Sequence, residues 1–448
     1  MMERDMASAQ KLEAVFTKLR HVSQKAKEEP ELQFTSLAHL LTVELLGEAY
    51  RLLRKDASPG VDGQTAGEYE EELGKNLREL HQRLREGRYR AQPVKRVYIE
   101  KEDGKKRPLG IPSLEDKIVQ KAALLVLESI YERDFLPCSY GFRPGRGAQD
   151  ALNEVYRAIV FGKVNYVLDA DIKGYFDNIV RNQLMEFIQQ RVKDRSLLRL
   201  ISKWLHVGVV EEGRLLPTSK GTPQGAVISP WMANVYLHYV LDQWVEDTVK
   251  PRMRGEVYLI RYADDFIGCF QYREDAERFS RVLGKRFAKY GLELSEEKTR
   301  LLAFGREAES NWRRSGKDKP GTFDFLGFTH VCARSRKGRF TVQVRTARKR
   351  LQRAMRRMTE WCRNNRHLSV AQQRAALNQK LRGHYGYYGR RSNHARLRQF
   401  YEHTKKTWHQ WLSRRSQRRR LPGPEFAAFL QRCPLLPPRI TQAGYVHG

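Results

Sequence analysis

Two adjacent carboxylates interrupt an apolar stretch of the chain. Asp264 and Asp265 lie within RYADDFIGCF (261–270), where the flanking residues are rich in β-branched and aromatic side chains. This composition predicts two short strands joined by a tight turn. Aspartate is common in turns, so a solvated pair is the simplest interpretation of this stretch alone. If the pair is instead buried, its two charges repel each other and require a cation nearby.

A second acidic segment, NYVLDADIKGYFDNI (165–179), precedes the first. A strand from Tyr166 to Ile172 would alternate its side chains between two faces. One face would carry Tyr166, Leu168, Ala170 and Ile172, and the other Val167, Asp169 and Asp171. If both acidic segments meet, at least three carboxylates converge, and divalent cations are the simplest way to stabilise them. Ligands that are all oxygen favour Mg²⁺, and two Mg²⁺ ions held by aspartates suit nucleotidyl transfer.

Basic residues are concentrated in the last quarter of the chain. The 448 residues, a length that suggests two or three domains, carry a net charge of +31. Residues 331–448 contain 29 Lys and Arg against 3 Asp and Glu. A near-neutral body with such a cationic end predicts a polyanionic partner, most simply nucleic acid. The aromatic residues among these arginines suit base stacking or core packing equally well; they are Trp361, Tyr385, Tyr387, Tyr388, Trp408 and Trp411.

Cysteine spacing and hydropathy indicate the compartment. The 5 cysteines are far apart and form no C-x-x-C pair, which argues against a disulfide framework and a zinc ribbon. No N-terminal signal segment and no apolar run of about 18 residues is visible, so neither secretion nor membrane spanning is expected, and no membrane partner is predicted. The sequence predicts a reduced, cytoplasmic location.

Hydrophobic periodicity predicts a mixed α+β fold. Residues 1–55, 69–87 and 114–134 have helical patterns, whereas 93–112 alternates as two strands would. From residue 345 the pattern is mainly helical.

Three motifs resemble the reverse transcriptase family, and more narrowly the reverse transcriptase/maturase proteins of bacterial group II introns. They are YADD, DIKGYFD and GTPQGAVISPWMANVYLH (221–238). Six further segments follow the family's order over nearly the whole chain: SPGVDGQT, KRPLGIPSLEDKIVQ, SYGFRPGRGAQDAL, GLELSEEKTRLLAFG, FDFLGFTH and LRGHYGYYGRRSN.

The resemblance implies a right-hand polymerase architecture with fingers, a palm built on an antiparallel sheet, and a helical thumb. The expected divisions are an N-terminal helical extension and the start of the fingers at 1–90, and fingers and palm at 91–330. A helical thumb/maturase region follows at 331–412, and a basic nucleic-acid-binding tail at 413–448. Many relatives carry a C-terminal H-N-H endonuclease with paired cysteines, and no such domain is expected here.

The resemblance also assigns the catalytic and metal residues. Asp171 and Asp264 are expected to be the principal ligands of two Mg²⁺ ions, for which Mn²⁺ is a possible substitute. Asp265 would complete the catalytic acids, and the backbone carbonyl of Ile172 could also reach a metal. Asp169 has no family role, and Asp177 is interpreted as a local structural carboxylate.

Five residues are expected to bind the incoming dNTP: Lys101, Arg107, Phe176, Gln224 and Lys298. Lys101 and Arg107 would hold the triphosphate. Phe176 would lie beneath the sugar and exclude a 2′-hydroxyl, the alternative being a core phenylalanine. Gln224 would contact the sugar or base, or else stabilise its turn, while Gly221 and Gly225 would allow close backbone approach to the nucleotide. Lys298 would be a proton donor near the leaving pyrophosphate or, equally, a surface ion-pair partner of Glu296 or Glu297.

The nucleic-acid-binding surface is expected to include Arg143, Arg382, Arg390, Arg391, Arg414, Arg415, Arg418 and Arg419. The alternative for the cluster at 414–420 is a solvated basic hinge. Implied partners are group II intron RNA, an RNA template, a DNA primer or target, and dNTPs.

The implied function is RNA-directed DNA polymerisation, combined with intron RNA binding that assists splicing and retromobility by target-primed reverse transcription. It would take place in the bacterial cytoplasm, at the nucleoid when the protein is on DNA. Two alternatives remain, namely a splicing-only RNA-binding maturase and a host reverse transcriptase repurposed for defence or repair.

Overall fold

The structure, a computed structural model, describes residues 2–100, 106–211, 214–216, 220–308, 310, 314, 321–415 and 421–442. Helices among these residues are α1 (Met2–Glu28), α2 (Val43–Leu52), α3 (Ala66–Glu71), α4 (Leu73–Arg85), α5 (Leu114–Asp134), α6 (Ala148–Phe161), α7 (Tyr175–Asn178), α8 (Arg181–Gln189), α9 (Arg195–His206), α10 (Ser229–Leu237), α11 (Arg273–Lys289), α12 (Arg348–Asn364), α13 (Val370–Tyr388), α14 (His394–Leu412) and α15 (Gly423–Arg432). Strands are β1 (Val94–Glu100), β2 (Lys106–Ile111), β3 (Tyr166–Ala170), β4 (Val209–Glu211), β5 (Arg214–Leu216), β6 (Val257–Tyr262), β7 (Asp265–Phe270), β8 (Arg300–Ala303), β9 (Thr322–Phe325), β10 (Phe328–Arg334) and β11 (Phe340–Thr346).

The two acidic segments lie on neighbouring strands of one sheet. Its strand order is β6-β7-β3-β8, and all its pairings are antiparallel. The register places Ala170 opposite Phe266 and Tyr262 opposite Asp265. The C-terminal end of β3 and the turn between β6 and β7 therefore meet at the same edge of the sheet. The predicted α+β class with an antiparallel palm sheet is confirmed.

The alternation predicted for β3 places its two faces in different hydrophobic cores. Leu168 and Ala170 pack in a large core that includes side chains of α5, α10 and α11. Val167 packs in a second core with side chains of α6 and of the β9–β11 sheet. Because both faces of the sheet are covered along most of its length, its polar residues are confined to the strand ends. The strand is shorter than expected: it ends at Ala170, and Ile172 forms only an isolated bridge to Leu294.

A second sheet, of order β2-β1-β4-β5, lies in the expected fingers region. Its antiparallel β1–β2 pair confirms the two strands predicted within 93–112. The turn between them, 101–105, lies outside the described residues, and so does the predicted triphosphate ligand Lys101.

The C-terminal helices α12–α15 share a third core that contains Trp408, Tyr385 and Phe426. Most of the aromatic residues considered for base stacking are therefore packing residues, although Tyr387 keeps 37% of its surface exposed. The first of these helices begins at Arg348, which confirms the helical pattern predicted from residue 345, and the residues before it form β10 and β11. Nor are residues 421–442 a free tail. Leu436 accepts from the Tyr385 hydroxyl and donates to Asn378, which attaches this segment to α13.

The N-terminal helical pattern predicted over 1–55 is divided into α1 and α2, while the helix predicted over 114–134 coincides with α5. Within the described ranges, no helix combines the length and apolar character that crossing a membrane requires.

Candidate active site

The predicted tight turn joins β6 and β7 through two residues, Ala263 and Asp264. Ala263 has a φ of 57°, in the left-handed region that non-glycine residues seldom adopt. Asp171 follows the end of β3, and its backbone carbonyl accepts from Ser295 N at 2.8 Å. These pairings bring Asp171, Asp264 and Asp265 together, and we call these three residues the acidic centre.

A buried arginine that the sequence did not single out supports the turn. Arg261 is 0% exposed, and its guanidinium donates to the Asp242 carboxylate at 2.7 Å. It also donates at 3.0 Å to the side chain of Asn234 and to the carbonyl of Ala263. The last of these bonds fixes the strained residue next to Asp264. The only available signal was a basic residue within an otherwise apolar strand.

The acidic centre is electrostatically unfavourable without a cation. Burial, followed by repulsion from Asp171, raises the pKa of Asp264 above its usual range. Burial and then repulsion from Asp264 and Asp171 raise the pKa of Asp265 to about 7. Protein packs around the Asp265 carboxylate closely enough to raise its pKa, yet Asp265 is an exposed residue and Asp264 is half-buried. Solvent therefore reaches the pair, and the nearby Asp171 is what distinguishes it from an ordinary acidic turn.

Lys298 contacts the acidic centre directly. Its ammonium lies 2.7 Å from Asp171 Oδ2, and this hydrogen bond raises the pKa of Lys298. The alternative of a surface ion pair therefore stays open beside the proton-donor role, but its partner is Asp171 and not Glu296 or Glu297. Asp169, for which no role was assigned, pairs with Arg300 at 3.1 Å.

The donor set of the acidic centre fits a hard cation. It consists of carboxylate oxygens, and an added positive charge would relieve the repulsion that raises two of the three pKa values. In this conformation Asp171 is directed at Lys298, and across the described ranges no three His, Cys, Asp or Glu side chains are arranged as a metal site. Hydrogen bonds from Ser295 to Asp171 and from Lys173 to Glu293 flank Ile172. Ile172 and Leu294 are therefore opposite each other in an antiparallel bridge without bonding each other. In this geometry the Ile172 carbonyl points away from Leu294, so that segment of the chain does not occupy it.

Three side chains link the fingers to the palm beside the acidic centre. Arg107, on β2, donates from Nε to Gln224 Oε1 at 3.0 Å. Gln224 in turn donates to both carboxylate oxygens of Asp177 at 3.4 Å. Gln224 thus bridges β2 and α7, which neither sequence interpretation predicted, and Asp177 is more than a local structural carboxylate.

The loop that carries Gln224 is fixed to the turn around Phe176. Thr222 N donates to the Phe176 carbonyl at 2.9 Å. A Cβ at Gly221 would lie 2.7 Å from that carbonyl oxygen, and one at Gly225 would lie 2.8 Å from the Gly110 carbonyl oxygen. Both glycines are therefore required for close approach to protein backbone. The Phe176 side chain is 9% exposed and belongs to the large core.

The predicted nucleic-acid-binding arginines divide into two groups. Arg143 is 6% exposed and bonds Glu132 and the carbonyls of Leu136 and Ser139. Arg390 is 5% exposed and bonds Gln149 and Asn153. The prediction is wrong for these two, because their donors are used inside the protein. The exposed members are Arg382, Arg391, Arg414 and Arg415, and Arg418 and Arg419 lie outside the described residues.

Comparison with known proteins agrees with the resemblance seen in the sequence motifs. The family profile described as "Reverse transcriptase (RNA-dependent DNA polymerase)" matches residues 99–330. The group II intron-encoded protein LtrA of Lactococcus lactis is 36% identical over 305 residues, which cover 65% of this chain and 49% of LtrA. Protein YkfC of Escherichia coli (strain K12) is 36% identical over 280 residues, covering 55% of this chain and 74% of YkfC.

A more distant relative, the mitochondrial nuclear intron maturase 4 of Arabidopsis thaliana, is 29% identical over 155 residues, or 34% of this chain and 19% of the maturase. The chain spans about half the length of LtrA.

Proposed function

The chain belongs to the reverse transcriptase family, and from this premise we propose that it is an RNA-directed DNA polymerase that also binds a group II intron RNA. The observation that carries the proposal is the meeting of Asp171 with Asp264 and Asp265 at the open edge of the palm sheet. A turn held in a strained conformation by a buried Arg261 is typical of a site whose geometry matters.

Asp171, Asp264 and Asp265, with the Ile172 carbonyl, would hold two Mg²⁺ ions, which Mn²⁺ could replace. When bound, such ions activate the primer 3′-hydroxyl and neutralise the triphosphate. Lys298 donates to Asp171 and carries a proton at Nζ, so it would be the proton donor to the leaving pyrophosphate.

Arg107 and Lys101 would bind the triphosphate, since guanidinium and ammonium groups both suit phosphate. Gln224, between Arg107 and Asp177, would close the side of the nucleotide pocket. Phe176 would form the floor beneath the sugar, and its small exposed edge is what a ring flush with a pocket surface would show.

The exposed Arg382, Arg391, Arg414 and Arg415 would contact nucleic-acid phosphates, together with Arg418 and Arg419. The substrates would be an RNA template, a DNA primer or target, and dNTPs. Binding of intron RNA is inferred from the similarity to an intron-encoded protein and an intron maturase. The division of the chain at residues 90, 330 and 412 stays a prediction, and so does a cytoplasmic location with access to the nucleoid.

Primer extension on an RNA template tests the proposal. We expect extension with dNTPs and Mg²⁺, weaker or altered extension with Mn²⁺, and none after chelation. Asp264→Asn should lower the rate by several orders of magnitude because it removes a metal ligand. A variant that extends primers at the wild-type rate would overturn the catalytic assignment. An inactive wild type that still binds intron RNA would favour the splicing-only maturase.

A further inference from the structure

A small cavity lies between the fingers sheet and the loop that carries Gln224. Its volume is about 80 Å³, and its polar lining consists of Arg96, Asp177, Arg181, Lys220, Thr222 and Gln224. Since a water molecule takes about 30 Å³, the cavity has room for a small polyatomic ion.

This cavity is distinct from the proposed triphosphate site. In the β1–β2 pair, Ile99 is opposite Arg107 and Arg96 is opposite Gly110. Side chains alternate along a strand, so Arg96 lies on the opposite face of the hairpin from Arg107. Pro108 and Gly110, which also line the cavity, share the face of Arg96. Gln224 borders both the cavity, which it lines, and the proposed triphosphate site, where it accepts from Arg107.

Among the described residues, two polar groups that line the cavity have no hydrogen-bond partner. Thr222 is 4% exposed, yet within the described part of the chain its Oγ1 bonds nothing. The same is true of the buried Arg96 Nε. A buried donor without a partner loses its hydrogen bonds to water and gains none in return, which destabilises the folded protein. Such groups therefore commonly indicate a ligand-binding site. The position of Thr222 is fixed by its backbone bond to Phe176.

The charge of the lining is positive. Three cations, Arg96, Arg181 and Lys220, face one carboxylate, Asp177. The Arg181 guanidinium is directed along the cavity wall, donating to the carbonyls of Gly221 and Lys220 at 2.9 and 3.0 Å. An unpaired Nε–H, an unpaired hydroxyl and surplus positive charge together describe a receptor for an oxyanion.

We propose that this cavity is a second oxyanion site, on the back of the fingers hairpin, that takes a phosphate group. The phosphate comes either from the backbone of the unpaired template strand or from free inorganic phosphate. The inference deepens the proposed polymerase function. A phosphate from the template strand would be bound only if that function is correct, whereas binding of inorganic phosphate does not depend on it.

Thermal unfolding with inorganic phosphate, at an ionic strength held constant with chloride, tests the site without catalysis. Thr222→Val removes only the hydroxyl, and we expect it to weaken phosphate binding about tenfold; Arg96→Gln should do the same. The exposed Lys75→Gln, which removes a positive charge far from the cavity in sequence, is the control that should retain wild-type phosphate affinity. Equal phosphate affinity in the wild type, Thr222→Val and Arg96→Gln would overturn the site.

A second measurement distinguishes the two sources. The affinity for a primer–template duplex is compared with and without an unpaired 5′ extension of the template. If a strand phosphate occupies the site, Arg96→Gln and Thr222→Val should reduce the gain from the extension about tenfold. If the two variants bind inorganic phosphate more weakly but keep the full affinity gain from the 5′ extension, the site binds free phosphate. If the protein does not polymerise but binds phosphate more weakly in the Thr222→Val and Arg96→Gln variants, the oxyanion site is supported and the proposed polymerase function is not.

Discussion

Lys298 and Arg261 both act on the acidic centre, but from different environments. The Lys298 side chain is 66% exposed, whereas Arg261 is completely buried with its partner Asp242. An exposed ion pair adds little stability, so the value of Lys298 would lie in its proton and charge. A buried ion pair becomes costly when one partner is removed, so Arg261 governs the position of the turn.

Lys298→Ala should lower the rate of nucleotide addition about 100-fold or more, the range for a lost general acid. Lys173→Ala is the matched control, because Lys173 lies close to Asp171 in sequence and makes an exposed ion pair with Glu293 at 3.3 Å. Single-turnover extension measures both. Equal rates for the two variants would reduce Lys298 to a surface ion pair.

Arg261→Met should destabilise the protein by roughly 3–5 kcal/mol, because it leaves the charge of Asp242 buried without a partner. The double variant Arg261→Met/Asp242→Leu should recover most of that stability, since it removes both charges. We expect its polymerase rate to remain low, because the bond to the Ala263 carbonyl is still missing. Chemical denaturation and primer extension measure the two effects separately. A double variant with wild-type activity would mean that Arg261 serves the fold alone.

Among the elements, α7 is the one that joins the acidic centre to the loop that carries Gln224. It is a single turn of four residues, Tyr175–Asn178, which begins after Gly174 at a φ of 56°. Hydrogen bonds from Gly221 and Thr222 attach the loop to Ile179 and Phe176. A change in the loop is therefore transmitted to the floor of the proposed sugar pocket.

Phe176→Val should admit ribonucleotides by removing a ring beneath the sugar. The measured quantity is the ratio of extension efficiencies for dNTP and NTP on one RNA template, and we expect it to fall in the variant. Phe279→Val is the control, because Phe279 is a buried core residue of α11. Truncating a core phenylalanine costs a few kcal/mol and should depress both substrates together. An unchanged ratio for Phe176→Val would leave this residue as packing.

At the scale of the whole molecule, the cationic C-terminal quarter combines structural and surface arginines. Arg390 connects the helical region to α6 through Gln149 and Asn153. Arg382 and Arg391 lie close to it in sequence but are exposed. The count of basic residues therefore overestimates the nucleic-acid-binding surface. Residues 421–442 pack on α13, so removing them would disturb the fold, and substitution of exposed arginines is the better test of RNA binding.

Arg382→Gln together with Arg391→Gln should weaken RNA binding and lower the slope of log K against log[salt] by about 0.7 for each lost single-strand phosphate contact. Arg390→Gln, in contrast, should lower the thermal midpoint without changing that slope. Fluorescence titration over a range of salt concentrations and a thermal melt measure the two outcomes. An unchanged slope in the double variant would exclude this surface from RNA binding.

The sequence alone predicted the strands and the turn that carry the acidic centre. The RYADDFIGCF stretch predicted a two-strand turn because its flanks favour strands. The alternation of 166–172 predicted the apolar face of Leu168 and Ala170, but not the burial of Val167 on the acidic face. Local preferences of this kind depend on neighbouring residues, which the sequence displays. The order of the motifs then indicated which acidic residues belong together.

Only the tertiary structure decided which charges are used inside the protein. Arg143, Arg390 and Arg261 resemble surface cations in the sequence, yet each is buried against partners that lie up to 241 residues away. Lys298 likewise pairs with Asp171, 127 residues earlier, and with neither neighbouring glutamate. Such pairings depend on how strands and helices pack, because a charge can be buried only where the fold supplies its partner.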